Sequence, residues 1–586
     1  MGMPNYYTPG VYIEEPNKGP RPIEAVSTAV AAFVGFAPYS TVKDANRPVL
    51  ITSWTQFVEK FGKRDKDSNQ KSPYMKNAYL AHAVYGFFLN GGTRCWVIRA
   101  MPAKWEEGLE AAPSEISTAK GRALKNKERL LTIKSKAPIP DEDIEISLTR
   151  APATRPDDYQ ISIAVKMGDK SEEFKHVALK PPAPQPTPPP SAPDPADPNA
   201  PAPQPAPASR RGTAAAAATA PVPPDSNGNR PLTLNEVNQK SQFITIELDE
   251  KASSLEPAFG DYYIAVPQPD PENPKHKQLN GIQPPDIVGD PLKHTGIVGL
   301  EIAEDVTMIC CPDLMSPLAY PNGEIISEKV QSVQQAMMNH CELAGGRMAI
   351  LDVPPTIGEP QDVERWLLSD VRYDSMFAAL YYPWLTIANP LASDSEPQTI
   401  SVPPCGHIAG IYARNDTERG VHKAPANEIV RGALKLSWDV TGGEQEGLNR
   451  NGINCIRSFS GRGIRVWGAR TISSDPAWRY INVRRLFNMV EKSIERDTQW
   501  VVFEPNDPDL WSRVRRDVGA FLTTLWRDGM LFGDTPQQAF FVKCDEELNP
   551  PESRDLGRLI IEVGLAPVKP AEFVVFRFSQ YTGGGA

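Results

Sequence analysis

The chain has no cysteines at CxxC spacing and no uninterrupted run of 18 apolar residues. The first absence excludes a zinc knuckle. It also argues against a disulfide framework, since the seven cysteines (Cys95, Cys310, Cys311, Cys341, Cys405, Cys455 and Cys544) are odd in number and scattered, and so read as reduced, buried thiols. The second absence leaves no segment suited to a membrane-spanning helix. Basic charge is not in excess either. Sixty-two Lys and Arg against 72 Asp and Glu give a net charge of -10, well mixed, which argues against nucleic acid as a direct partner. The start, MGMPNYYTPGVYIEEP, lacks the basic and apolar stretches of a secretory signal, and Tyr6 stands where a myristoylation signal has Ser or Thr. The expectation is a protein made in the cytoplasm without a signal peptide.

Catalytic motifs are missing as well. There is no GxxxxGK(S/T), HExxH or GxSxG, and GRGIRVWG (461–468) has only two glycines of a dinucleotide fingerprint and reads as a tight turn before a strand. His82, His176, His276, His294, His340, His407 and His422 are too far apart for a metal site, and the pairs Glu14–Glu15 and Glu106–Glu107 read as solvated charge. Asp313 and Asp352 follow strand ends, where α/β enzymes place their sites, and are the one foothold for a hydrolase or transferase. No catalytic residue, cofactor, metal ligand or small-molecule substrate is assigned.

What is present is a long alternation of patterns. Residues 1–25 read as an extended arm, because prolines at 4, 9, 16, 20 and 22 forbid a helix; GVYIEE could pair as a strand with another chain or dock on its own domain. The run AVSTAVAAFVGFAP, helices over 52–61 and 74–89 and the strand TRCWVIRA make the first part of an α/β core, 26–104. Residues 105–295 read as an inserted, mainly β surface domain with strands in LLTIK, IEISL, ISIAVKM, FITIEL and DYYIAV. It is interrupted by a Pro/Ala-rich flexible loop, 181–230, with 17 prolines between 181 and 224. Residues 296–425 alternate strand and helix as a middle α/β domain with a partly parallel sheet. A C-terminal domain, 426–570, has a helical Asn427–Leu434, a strand–turn–strand at 455–472, long helices over 478–500 and 509–531, and closing strands. The last residues, 571–586, read as a terminal strand and tail. The fold class is thus mixed α/β (α+β), multi-domain, with a central mixed sheet flanked by helices and extended arms at both ends. The Pro-rich stretch alone would also suit the stalk of a secreted adhesin, which the start of the chain does not support.

Several blocks resemble the contractile tail sheath family of phages and related injection systems: TPGVYIEE, TAVAAFVGFAP, SWTQFVEKFG and AYLAHAVYGFFLNGGTRCWVIRA early on, then LNRNGINCIRSFSGRGIRVWGARTIS, WRYINVRRLFNMVEKSIERDTQWVVFEPND, FLTTLWRDGMLFGDTPQQAFFVKC and AEFVVFRFSQ. They cover roughly 1–100 and 426–586 in the family's order. The resemblance implies a structural subunit of a helical homopolymer of stacked, six-fold rings around an inner tube protein, with baseplate and terminator or cap proteins as further partners. It is expected to reside in a phage tail or tail-like injection particle and to contract without nucleotide hydrolysis. The terminal arms of such subunits pair with neighbours. Here the exchanged residues would be Val11, Tyr12 and Ile13 at one end and Phe573, Val574, Val575, Phe576, Arg577 and Phe578 at the other. Phe573, Val575 and Arg577 would face one side, and Val574, Phe576 and Phe578 the other. Arg513, Arg515 and Arg516 are candidates for contact with an acidic tube, or form a solvated helix face.

Overall fold

The computed structural model of the chain describes residues 22–64, 70–102, 117–118, 131–137, 140–151, 160–179, 232–248, 259–266, 282–320, 322–394 and 396–577. They divide into two compact units, one of residues up to 63 with 71–108 and 268–586, the other of 64–70 with 109–267.

The first unit is built on an eight-stranded sheet. Its strands are β1 (Ala31–Gly35), β2 (Val49–Ile51), β3 (Cys95–Arg99), β4 (Met308–Cys310), β5 (Met348–Asp352), β6 (Ala378–Tyr382), β7 (Ile453–Phe459) and β8 (Gly463–Val466), in the order β2–β3–β1–β4–β5–β6–β7–β8. The six inner strands are parallel, and β2 and β8 close the edges antiparallel. Parallel strands buried on both faces read as unbroken apolar runs, and AAFVG and MAILD are buried at every position. Helix α1 (Trp54–Phe61) starts where Ser53 accepts from the Gln56 N–H and ends at Gly62, as the sequence indicates. Helix α2 is Leu80–Leu89, shorter than the expected 74–89, for a reason given below. Helices α3 (Ser327–Ala344) and α4 (Cys405–Arg419) follow.

Leu80, Val84 and Phe87 of α2 and Ile408, Ile411 and Tyr412 of α4 pack with Phe33, Val97, Ile350 and Tyr381 of the sheet in one core. Each such buried side chain contributes about 1.5–3 kcal/mol. The two helices meet through glycines. A Cβ on Gly406 would lie 2.4 Å from the Ala83 Cα and one on Gly410 2.5 Å from the Phe87 carbonyl oxygen, so no larger residue allows this approach. Residues 427–434, expected to be helical, are irregular. Asn427 sits at φ 60, its N–H donates to the Val466 carbonyl, and the Val430 N–H donates to that of Ile464, so the edge of β8 takes the backbone bonds a helix would need.

The second unit is an antiparallel sheet of Gln160–Met167, Lys170–Ala178, Ile144–Arg150 and Gly260–Ile264, with short strands at both edges, beside a two-stranded ladder of Leu131–Ser135 and Ile244–Leu248. Ile144, Ile146 and Leu148 turn inward onto Ile161, Ile163 and Val165, while Glu145 and Ser147 turn outward. A helix at Leu234–Lys240, capped reciprocally by Thr233 and Glu236, was not apparent from the sequence pattern.

Candidate assembly interface

The two carboxylates that invite an enzyme reading have other work. In the sheet order, β3 lies on one side of β1 and β4 on the other, so the C-terminal ends of β1 and β4 flank the crevice where α/β folds bind ligands. Asp313 fills it. Its Oδ2 accepts the N–H groups of Phe36 (2.6 Å) and Leu80 (3.0 Å), and its Oδ1 accepts that of Tyr79. Asp313 therefore caps α2, which cannot begin before the residues it reaches. Asp352 does the same for α4, accepting from the Cys405 N–H at 3.0 Å. Burial pushes both carboxyls up to about 7 despite these bonds. His82, His340 and His407 are pushed down to about 4 by burial, and His340 also faces Arg347. Among the described residues no group of three His, Cys, Asp or Glu could hold a metal, and no helix is long and apolar enough to cross a membrane.

The chemistry of the C-terminal region is that of open backbone. Helix α5 (Ile481–Asp497) and helix α6 (Pro508–Arg527), the latter capped by Asp507, bury Leu486, Met489, Val490, Leu510, Val514, Val518, Phe521 and Leu525 against each other. On this pair lies a hairpin of β9 (Phe540–Lys543) and β10 (Glu562–Leu565), a two-stranded sheet with no further strand on either side among the described residues. Phe540, Val542, Val563 and Leu565 turn toward the helices, while Phe541 lies over Gly564 on the other face and is half exposed.

Ladder parity fixes which groups are open. The Ala566 N–H donates to the Ala539 carbonyl, so the Gly564–Phe541 and Glu562–Lys543 pairs are the hydrogen-bonded ones. Val563 and Leu565 on one edge, and Phe540 and Val542 on the other, then turn their N–H and C=O groups outward. Such edges are templates for another strand.

The same chain carries a candidate strand. Phe573, Val574, Val575 and Phe576 are 75, 69, 77 and 76 % exposed. Residues 571–577 belong to no ladder among the described residues. Both faces of the segment are apolar, which suits a strand covered on both sides. Val11, Tyr12, Ile13 and Phe578 lie outside the described residues. Residues 24–28 are fixed to α5: the Glu24 N–H donates to Asp497 (2.8 Å), the Val26 N–H to Ser493 (3.0 Å), and Arg485 to the Thr28 carbonyl (2.9 Å). Arg513 pairs with Glu504 and lies over Trp500, Arg515 donates to the Cys544 carbonyl, and Arg516 pairs with Asp517. The three are therefore not one patch: Arg515 turns to the hairpin, while Arg513 and Arg516 remain partly exposed. Nothing in the sequence pattern revealed the edge parity, which depends on register.

Among the described residues, then, two hairpin edges are open and the segment Phe573–Phe576 is apolar and exposed. Residues 304–472 match the phage tail sheath protein central domain and residues 473–580 the phage tail sheath C-terminal domain. Over that stretch the chain is similar to domains of phage tail sheath proteins. It is similar to the tail sheath protein of Vibrio phage KVP40, 30% identical over 181 residues, which are 30% of this chain and 26% of the relative. It is also similar to that of Salmonella phage ViI, 29% identical over 226 residues, 38% of this chain and 34% of the relative. The chain thus spans about a quarter to a third of the length of these relatives. Its fold is similar to that of the helical sheath of the anti-feeding prophage in the contracted state (TM-score 0.52, 22% identity, 98% of this chain and 100% of that one). It is also similar to that of a contracted sheath complex of an extracellular contractile injection system (TM-score 0.50, 21% identity, 98% of each chain).

Proposed function

We propose that this chain is a structural sheath subunit that polymerises into a helical, ring-stacked sheath around an inner tube and contracts to drive that tube through a target envelope. The observation that carries the reading is the presence, among the described residues of one chain, of an exposed segment apolar on both faces and a hairpin open on both edges. Donation of Phe573–Phe576 of one copy to the hairpin of the next is a head-to-tail contact, which propagates instead of closing on itself. The N-terminal residues Val11–Ile13 are the second donor. Main-chain bonds hold copies together while their bodies rotate and slide, and the work comes from contacts made in the contracted arrangement, with no chemical step on this chain. Baseplate and cap proteins bound the polymer, and Arg513 and Arg516 are the side chains we assign to the tube. The particle is a phage tail or a tail-like injection machine.

Negative-stain microscopy of the purified full-length chain tests this beside a version lacking residues 1–16 and 571–586. Tubes or stacked rings are expected from the full-length chain alone. Monomers from both, even with a tube protein added, would contradict the proposal.

A further inference from the structure

The exposed segment Phe573–Phe576 follows an anchored residue. Glu572 precedes Phe573 and is itself mostly buried, its side chain 20 % exposed beside Arg470 at 11 %. The Glu572 carboxylate accepts from Arg470 Nε (2.9 Å) and Nη2 (2.5 Å), from Asn449 Nδ2 (2.8 Å) and from the Tyr480 hydroxyl (3.2 Å). Burial works against its charge, but these donors prevail and hold the carboxyl below its usual range. Arg470 is in turn fixed to the sheet. Its N–H donates to Asn454 Oδ1 (2.7 Å), Asn454 Nδ2 donates back to the Arg470 carbonyl (2.7 Å), and Asn454 lies in β7 with a second bond to the Leu380 carbonyl of β6. Arg470 Nη1 also holds the Asn449 carbonyl at 3.0 Å.

Between the hairpin and this clamp the chain is held only by uncharged bonds. After β10, the Ala566 N–H bonds to Ala539, the Ala566 carbonyl accepts from the Phe532 N–H (2.7 Å), the Val568 N–H donates to the Met530 carbonyl (3.5 Å) and the Val568 carbonyl accepts from Asn482 (3.2 Å). Among the described residues no hydrogen bond then holds 569–571. A pull on the segment after Glu572, without the clamp, would load these few bonds and, once they part, peel from the hairpin the strand that offers Val563 and Leu565. With the clamp, the pull enters β7 through Glu572, Arg470 and Asn454.

We infer that Glu572 is a positioning residue, which passes tension on the donated C-terminal strand into the eight-stranded sheet and so keeps the receiving hairpin intact while its own subunit's donated segment is under load. The inference rests on the strand-donation reading, since only a shared arm carries load. Charge-assisted bonds to a half-buried carboxylate are the strong class, and an Arg gripping both oxygens resists a directed pull better than one contact.

The test is constant-force pulling on the single full-length chain, with one handle at residue 586 and the other at an E446C site, since Glu446 is exposed. Opening of the hairpin, read as released length, is expected to be about tenfold faster in E572Q and faster still in E572A, because losing such a bond costs on the order of one factor of ten. Tyr480→Phe, which removes one donor and no charge, is expected to fall between wild type and E572Q. Melting without load should change little in E572Q. Equal opening rates in wild type, E572Q and E572A would overturn the inference. The pulling uses one molecule, so this result is independent of whether the chain polymerises; failure to polymerise would instead sink the sheath proposal.

Discussion

Replacing Val563 with proline is expected to leave a folded chain that no longer polymerises. The reasoning is one of parity. Val563 turns its N–H away from β9, so a proline there removes no bond of the hairpin and projects its ring on the side where an incoming strand would lie. The cost to the isolated subunit should stay within about 1 kcal/mol, the span of strand preferences. The cost to assembly is the loss of a donor along with a steric block at every junction. Glu562→Pro is the contrasting variant. Its N–H lies on the paired side, so the same change one residue earlier should unpair β9 and β10 and lower stability. Sedimentation velocity and thermal melting of the two variants separate these outcomes; tubes from V563P would show that this edge is not used.

Asp313→Ala is expected to be the most destabilising single change in the sheet core. Three backbone N–H groups, of Phe36, Tyr79 and Leu80, converge on that carboxylate, and two of them begin α2. Alanine leaves all three without an acceptor at a buried position, for a loss of about 3–5 kcal/mol, since each stranded group costs roughly 1–3 kcal/mol and water offsets part of it. Asp313 also gives stability a pH dependence. Its carboxyl, and that of Asp352, rises from 3.8 to about 7 on folding, chiefly through burial. The folded chain therefore holds protons that the unfolded chain has released between those values. Stability should be greatest, for these two groups, below about pH 4, fall as pH rises toward 7, and level off above it. Urea unfolding of wild type and Asp313→Asn at pH 5 and 8 checks this, the variant losing its share of the slope. A steeper slope in the variant would contradict the assignment.

The elements that sequence revealed share a property: their burial pattern is local. Unbroken runs such as AAFVG and MAILD announce strands covered on both faces, and the three- and four-residue steps from Leu510 to Leu525 announce a helix with one buried side. Helix α4 escaped notice because it is buried from Cys405 to Asn415 and so has no polar face to set a period, although Gly406 and Gly410, four residues apart, marked its close packing. The true start of α2 was hidden for another reason, since its cap, Asp313, lies more than 200 residues away along the chain. Both caps were noticed as strand-end acids, but position after a strand does not distinguish a catalytic acid from a helix cap.

The proposed interface divides in the same way. That Phe573–Phe576 is apolar on both faces was legible in the sequence. The hairpin edges and the Glu572 clamp were not, because one depends on ladder register and the other joins residues 92 to 123 positions apart. Arg513, Arg515 and Arg516 looked alike in sequence, and only their neighbours Glu504, the Cys544 carbonyl and Asp517 set them apart.

The most direct measurement is a helical reconstruction by electron cryomicroscopy of polymers of the full-length chain, read at the β9–β10 hairpin. The account predicts residues 573–576 of one copy lying as a strand along the open edge at Val563–Leu565 or Phe540–Val542 of another. Polymers in which both edges face solvent, or in which each terminus folds back on its own subunit, would contradict it.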